Sequence, residues 1–402
     1  MIGTILSMAS VAAAQGLMMN PGGAIPAGVP MPNITGFHNA TIQPSRGGFA
    51  ICVSGMIPVQ ASATNLRLNF NIPANQSEVT QTFLNLITPG SPFVANLVAG
   101  TQNVSGIYNT GATMCMPANG TRSSTVQFLT HGVGFDRFYW DFAPGYSYVD
   151  YAAQLGYTTF FYDRLGVGMS AKPDPINVVQ APLEVAIAEQ LIARLRAGAF
   201  GGQVFTKVVA TGHSYGSIIT QAVASRRPNL IDAAVLTGFT LNSSGIPPFI
   251  LGLNLQIAAQ NQPYRFNALN NGYLVSQNII SNQIAFLYSP AYDANILNLA
   301  EATKGSVTFG ELFTTGAVTA PAANYTGAVA VVNGVEDLPF CLGNCSYPTE
   351  LGAAVQPVLF PAARNLSNSV LTLPDVAHGI NLQYGATRAY AFIQNFVRAA
   401  GL

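Results

Sequence analysis

Charge is what this chain has least of. Only 8% of its 402 residues are Asp, Glu, Lys or Arg, and 16 basic residues cancel 16 acidic ones. Sparse, balanced charge gives no electrostatic attraction to nucleic acid or to anionic membranes. Histidine is scarce too, with four residues, which leaves few candidates for a general base. The four cysteines lack the paired C-x-x-C spacing of zinc knuckles, so no metal is expected, and no motif asks for an organic cofactor. No apolar run reaches the roughly 18 residues that read as a membrane span. No basic residue precedes Arg46. The apolar N-terminus MIGTILSMASVAAAQG therefore lacks the basic n-region of a secretory signal while matching its later part, and residues 1–20 are set apart as a signal-like segment.

Hydrophobic residues reach 49%, with 39 Gly and 25 Pro, a balance that predicts a filled core with many turns rather than disorder. Something other than charge must keep such a surface in water. Asn-x-Ser/Thr sequons begin at Asn33, Asn39, Asn75, Asn103, Asn119, Asn242, Asn324, Asn344 and Asn365. Their number points to N-linked glycans and a secreted, extracellular protein. An even cysteine count fits that compartment and predicts two disulfides, Cys341 with Cys345 and Cys52 with Cys115.

Residues 20–47 read as an extended arm, and 48–121 as several strands in meander form. From 126 onward short apolar runs end in Gly-containing turns: VQFLTHG, TTFFYDRLG, KVVATGHSYG, AAVLTG, AVAVVNGVED and SVLTLPDVAHG. Continuous apolar strands are buried on both faces, as in a parallel sheet. Helical stretches lie between them, including PLEVAIAEQLIARLRAG and SIITQAVASRRP. The alternation predicts an α/β fold with a doubly wound, mostly parallel sheet. About 90 residues separate AAVLTG from AVAVVNG, too many for a crossover. Residues 241–325 are therefore expected to form an inserted helical cap over the C-terminal strand ends, with 21–240 and 326–402 as the core.

The chemistry concentrates in GHSYG, 212–216. A strand, a sharp turn and a helix would present the Ser214 hydroxyl in the open, and Gly212 and Gly216 would let strand and helix approach. A serine needs a base. His378, in the loop after the last strand, is the choice; His213 adjoins the serine and should point elsewhere, and His38 sits in the arm. His131 is read as a structural or oxyanion-loop residue, with a second base as the rival. Asp337, after AVAVVNG, is chosen to orient His378, with Glu336 and Asp375 as rivals. Two backbone N–H groups should meet a developing oxyanion: those of Tyr215 and Val133, with Gly134 as the alternative to Val133.

These pieces, HGVGF (131–135), DRLGVGMS (163–170), GHSYG, NGVED and VAHG, resemble the α/β-hydrolase fold superfamily in order and context, from about residue 126 to the end. The resemblance implies a secreted serine-hydrolase type with a helical cap, Ser214 as nucleophile, Asp337 as acid and His378 as base. It also implies that DRLGVGMS is a structural turn, so Asp163, Arg164 and Ser170 are not catalytic candidates. Capped epoxide hydrolases and dehalogenases of that superfamily carry Asp at the elbow; Ser214 argues for acyl chemistry instead. The long N-terminal 120 residues and the segment LPFCLGNC depart from the family pattern, the latter reading as a disulfide loop that stiffens the Asp337 segment.

FDRFYWDFAPGYSYVDY is dense in aromatic residues, and Gly134, Phe135 and Trp140 are candidates to line an apolar pocket, against the alternative of packing cap to core. The expected activity is cleavage of a small apolar carboxylic ester or lactone. Acyl transfer or lactone-forming cyclisation by the same triad, peptidase or amidase action, and a non-catalytic binding protein are the alternatives.

Overall fold

The computed structural model describes Ile25 and residues 28–402; the signal-like segment 1–20 lies outside the described residues. Twelve strands follow along them: β1 (His38–Pro44), β2 (Ala50–Leu68), β3 (Val98–Pro117), β4 (Thr125–Thr130), β5 (Thr158–Tyr162), β6 (Lys207–His213), β7 (Ala233–Thr237), β8 (Gln256–Ile257), β9 (Tyr273–Val275), β10 (Val307–Thr308), β11 (Ala328–Glu336) and β12 (Val370–Ala377). Nine of them form one sheet in the order β1-β2-β3-β5-β4-β6-β7-β11-β12. From β5 to β12 every pairing is parallel, and the three strands at the other edge are antiparallel.

The parallel half follows from the apolar runs. TVQFLT of β4 and AAVLT of β7 are buried along their whole length, as strands covered on both faces must be. Helices Ala181–Arg196 and Tyr215–Arg226 pack together, and Tyr148–Gln154 packs with Ala386–Ala399. Ser147 caps the third of these by accepting the N–H of Asp150, which satisfies a donor that the first helical turn would leave open.

The segment 48–121 differs from the several strands in meander form expected of it. It is one ribbon of two strands, 19 and 20 residues long, in register from Ala50↔Pro117 to Arg67↔Gly100. Gly55, Pro58, Gly106 and Gly111 look like turn residues in sequence but lie inside these strands. Pro58 is tolerated because β1 pairs with β2 only as far as Met56, so the missing N–H falls on an open edge. Cys52 and Cys115 sit directly opposite one another in the ladder and are bonded.

Beyond the sheet the ribbon continues into residues 69–97, with helix Gln76–Ile87, and this segment packs on the insertion between β7 and β11. Phe70 lies 4.9 Å from Phe309 and 5.2 Å from Phe313. The Gln76 side-chain amide donates to the Leu255 carbonyl and accepts the Ile257 N–H. The insertion itself, expected to be helical, consists of short helices and a small antiparallel sheet in the order β10-β9-β8. No helix among the described residues is long and apolar enough to cross a membrane.

Candidate active site

Ser214 stands between β6 and helix Tyr215–Arg226 at φ 57°, ψ −118°, a backbone region that L-residues occupy only when the surroundings compel it. The compulsion is visible in the two flanking glycines. A Cβ on Gly212 would lie 2.1 Å from the Gly216 carbonyl oxygen, and one on Gly216 would lie 2.1 Å from that of Thr130. Strand and helix therefore meet too closely for any other residue. The Ser214 N–H donates to the Thr237 carbonyl at 2.8 Å, which pins the turn to β7.

His378 follows β12 and reaches Ser214 from the loop. Its Nε2 is 2.8 Å from the Ser214 hydroxyl, and its Nδ1 is 2.6 Å from Asp337 Oδ2. Ser214 is 7% exposed; Asp337 and His378 are fully buried. The second oxygen of Asp337, Oδ1, accepts the Phe340 N–H at 2.9 Å, so the carboxylate caps helix Leu338–Cys341 while it faces the imidazole. Cys341 is bonded to Cys345, whose N–H donates to the Val335 carbonyl, and the Gly343 N–H donates to the Asp337 carbonyl. The disulfide loop thus ties down both flanks of Asp337. The rivals lie elsewhere: Glu336 accepts the Val376 N–H, and Asp375 is exposed.

Three phenylalanines surround the His378 ring. Phe249 and Phe286 of the insertion lie 5.6 and 6.1 Å from it, and Phe340 lies 5.9 Å away. The Phe286 carbonyl accepts the Gly379 N–H at 2.7 Å, which fastens the insertion to the histidine loop. Phe286 also contacts the other side of the site. Its ring is 4.7 Å from Phe135, and a Cβ on Gly134 would meet it at 2.9 Å. Trp140, which the sequence suggests beside these two, lies in the core. The indole is 1% exposed and packs edge-on against Tyr139 and Tyr148, because the turn Arg137–Trp140 directs it inward. A cavity of about 960 Å³ lined by Asp136, Phe138, Met169, Tyr264, Phe266 and others opens on the far side of this turn, and none of Ser214, Asp337 and His378 lines it.

His213 and His131 are buried beside the site with their protonation suppressed. Burial, then the proximity of His378 and His131, holds His213 well below the usual histidine range. Its ring stacks on Tyr139 at 4.5 Å, lies 4.9 Å from the His378 ring, and its Nδ1 is 3.1 Å from the Thr237 hydroxyl. Burial and then Arg164 hold His131 well below that range too. His131 Nε2 accepts the Arg164 N–H at 3.1 Å, so Nδ1 carries the proton and donates to the Gly132 carbonyl at 2.8 Å. His131 is therefore a structural residue of the turn after β4. That turn abuts the serine: a Cβ on Gly132 would lie 2.9 Å from Ser214 Cβ. Among the described residues neither the Val133 nor the Tyr215 N–H donates to a backbone carbonyl.

Sequence reasoning missed a buried ionic cluster behind Tyr215. The Arg164 guanidinium pairs with Glu184 at 3.1 Å and with Glu311 of the insertion, and its Cζ lies 4.4 Å from the Tyr215 ring centroid. The Tyr215 hydroxyl donates to Glu184 at 2.6 Å. Burial, with Arg164 opposing and Glu311 reinforcing, pushes the Glu184 carboxyl up to about 8. Glu184 opens helix Ala181–Arg196, and Glu311 completes a capping box with Thr308, so each reads in sequence as an ordinary helix-start acid.

A family model described as "Alpha/beta hydrolase family" matches residues 128–388, more than half the chain. Among curated proteins none matches the sequence. Solved structures do resemble the chain. A protein of Mycobacterium tuberculosis described as a non-heme bromoperoxidase, BpoC, is 17% identical over 72% of this chain and 96% of its own, with a TM-score of 0.50. A thermophilic esterase from Thermogutta terrifontis is 14% identical over 73% and 94%, with a TM-score of 0.44. The epoxide hydrolase VrEH1 from Vigna radiata is 16% identical over 72% and 94%, with a TM-score of 0.43.

Proposed function

From the premise that this chain belongs to the alpha/beta hydrolase family, we propose that it is a secreted serine hydrolase that cleaves small apolar carboxylic esters or lactones through an acyl-enzyme on Ser214. His378 Nε2 takes the Ser214 proton as Oγ attacks the carbonyl carbon. Asp337 holds the imidazole with its other nitrogen protonated and stabilises the imidazolium. The carbonyl oxygen, now negative, is met by the N–H groups of Val133 and Tyr215. His378 returns the proton to the departing alcohol. Water then attacks the acyl carbon as it gives a proton to His378, and His378 passes that proton to Ser214 Oγ as the acyl–Oγ bond breaks and the acid leaves.

The observation that carries this reading is the unbroken hydrogen-bond chain Asp337–His378–Ser214, at 2.6 and 2.8 Å, ending on a serine in forced backbone geometry. Apolar substrates are favoured by the three phenylalanines about His378 and by Phe135. In this role residues 241–325 act as the cap, and Gly134, Phe135 and Phe286 contact the acyl part. The same dry shell favours an alcohol as a second acyl acceptor, giving transfer or cyclisation. Secretion and N-glycosylation are supported by the two disulfides and by the exposure of eight of the nine sequon asparagines, Asn242 being half-buried.

Intact mass after exposure to a fluorophosphonate tests the assignment. One adduct on Ser214 in the native protein, lost or greatly slowed in His378→Ala, is the expected result. A folded native protein that takes no adduct would overturn the hydrolase reading in favour of a binding protein.

A further inference from the structure

The ionic cluster behind Tyr215 contributes no group to the proton path, yet it touches every part of the region that should receive the oxyanion. Its central residue, Arg164, is fully buried. The Arg164 Nη2 donates to the Gly132 carbonyl at 3.4 Å. Its backbone N–H sets the His131 tautomer, and His131 Nδ1–H grips the same carbonyl at 2.8 Å. That carbonyl and the Val133 N–H belong to one planar trans peptide unit and point in opposite directions. Two donors on the Gly132 oxygen therefore fix where the Val133 N–H points. The other candidate donor, the Tyr215 N–H, belongs to a residue whose ring lies on the guanidinium at 4.4 Å and whose hydroxyl is held by Glu184, a partner of the same guanidinium. Glu311 reaches Arg164 from the insertion and accepts the Thr308 N–H at 2.7 Å with its other oxygen.

We propose that Arg164 is the positioning residue of the oxyanion hole: it aims the Val133 N–H by holding the Gly132 carbonyl, directly and through His131, it seats Tyr215, and it is itself placed by Glu311 of the insertion. The proposal rests on the serine-hydrolase reading above. A buried guanidinium is costly unless opposing charge and good geometry compensate it. Here burial works against the charge; Glu311 is the main counter-charge, and Glu184, with its carboxyl raised to about 8, adds to it as it ionises. Docking of the insertion thereby becomes a condition for a formed oxyanion hole. A peptide released from the Gly132 grip is free to rotate and withdraw its donor, and loss of one such donor costs about 10²–10³-fold in kcat.

The test measures hydrolysis of short-chain p-nitrophenyl esters, with rates normalised to Ser214 titratable by fluorophosphonate, and inhibition by an alkyl trifluoromethyl ketone, whose tetrahedral adduct carries the oxyanion. Arg164→Met should lower kcat about 10²-fold with KM changed less than about threefold, and ketone affinity should fall with kcat/KM. Arg164→Lys should recover part of the loss. Glu311→Gln, which leaves the hole's own residues intact, should lower kcat about tenfold, again with ketone affinity following. It carries the test should Arg164→Met fail to fold. Titrated variants with unchanged kcat, or with kcat reduced and ketone affinity unchanged, would overturn the positioning role while leaving the hydrolase assignment standing. A native protein that neither hydrolyses these esters nor takes a fluorophosphonate would remove the hydrolase assignment, and the positioning role with it.

Discussion

The two sides of Ser214 are built from opposite materials. On the His378 side the shell is aromatic, with Phe249, Phe286 and Phe340 around the imidazole and Asp337 as the ionic partner behind it. On the Tyr215 side the shell is ionic, with Arg164 between two carboxylates. Each material suits its task. In the proposed mechanism a dry wall about His378 leaves its proton no partner but serine, substrate or carboxylate, and low dielectric strengthens those contacts. A backbone donor instead needs its direction fixed, and a planar guanidinium with several donors holds several groups at once. Both shells depend on the insertion, which supplies Phe249 and Phe286 to one and Glu311 to the other.

This contrast can be broken from either side. The largest effect should come from the proton path: Asp337→Asn should lower kcat by about 10³–10⁴-fold while KM moves little, measured on the same p-nitrophenyl esters. An undiminished rate would move the acid role to another carboxylate. In the aromatic shell, Phe286→Ala should destabilise the fold by about 3–5 kcal/mol in urea unfolding, since the ring is 2% exposed and joins the histidine loop to Phe135. It should also weaken discrimination between acyl chain lengths, which Glu311→Gln should leave alone. Away from the site, replacing Cys52 and Cys115 together by alanine should cost about 2–4 kcal/mol with kcat unchanged, because the bridge closes a long loop in the unfolded chain but joins β2 to β3, at least three strands from β6 in the sheet. The smallest effect concerns pH. The fold raises the Glu184 carboxyl from 4.5 to about 8, so this residue's contribution to stability is full below the unfolded value and declines as pH rises toward about 8. Glu184→Gln cannot ionise. Its urea midpoint should therefore gain on the native one between pH 5 and pH 8, and parallel curves would show that Arg164 keeps Glu184 ionised throughout.

The hydrogen-bonded set Ser214, His378 and Asp337 is legible in sequence because each residue sits where local chemistry leaves a mark. Ser214 stands between glycines that the close approach requires, and Asp337 and His378 stand just past apolar strands. The parallel sheet was readable for the same reason. Glu184 and Glu311 leave no such mark: each occupies the first turn of a helix, where acids are common, and they meet only through Arg164, 20 and 147 residues away. Trp140 misled because an aromatic-rich turn does not disclose which rings face inward. The ribbon misled because Pro58 and the glycines near it break a strand in isolation, whereas long pairing with β3 overrides them. Helix Gln76–Ile87 did carry a signal, Asn75 with Glu78 three residues on, which went unread among the neighbouring strands.

Attachment of the insertion at both shells bears on how members of this fold can be recombined. Residues 241–325 look like an exchangeable module, joined to the core only at the ends of β7 and β11. Grafting another segment there would leave Arg164 facing Glu184 alone, and His378 without two of the three phenylalanines around it. A chimera that keeps this scaffold would have to import its own counter-charge and ring set, or rewrite positions 164 and 184 along with the graft. Under the function and the Arg164 role proposed above, substrate range and catalytic competence are inherited together in this chain and cannot be shuffled independently.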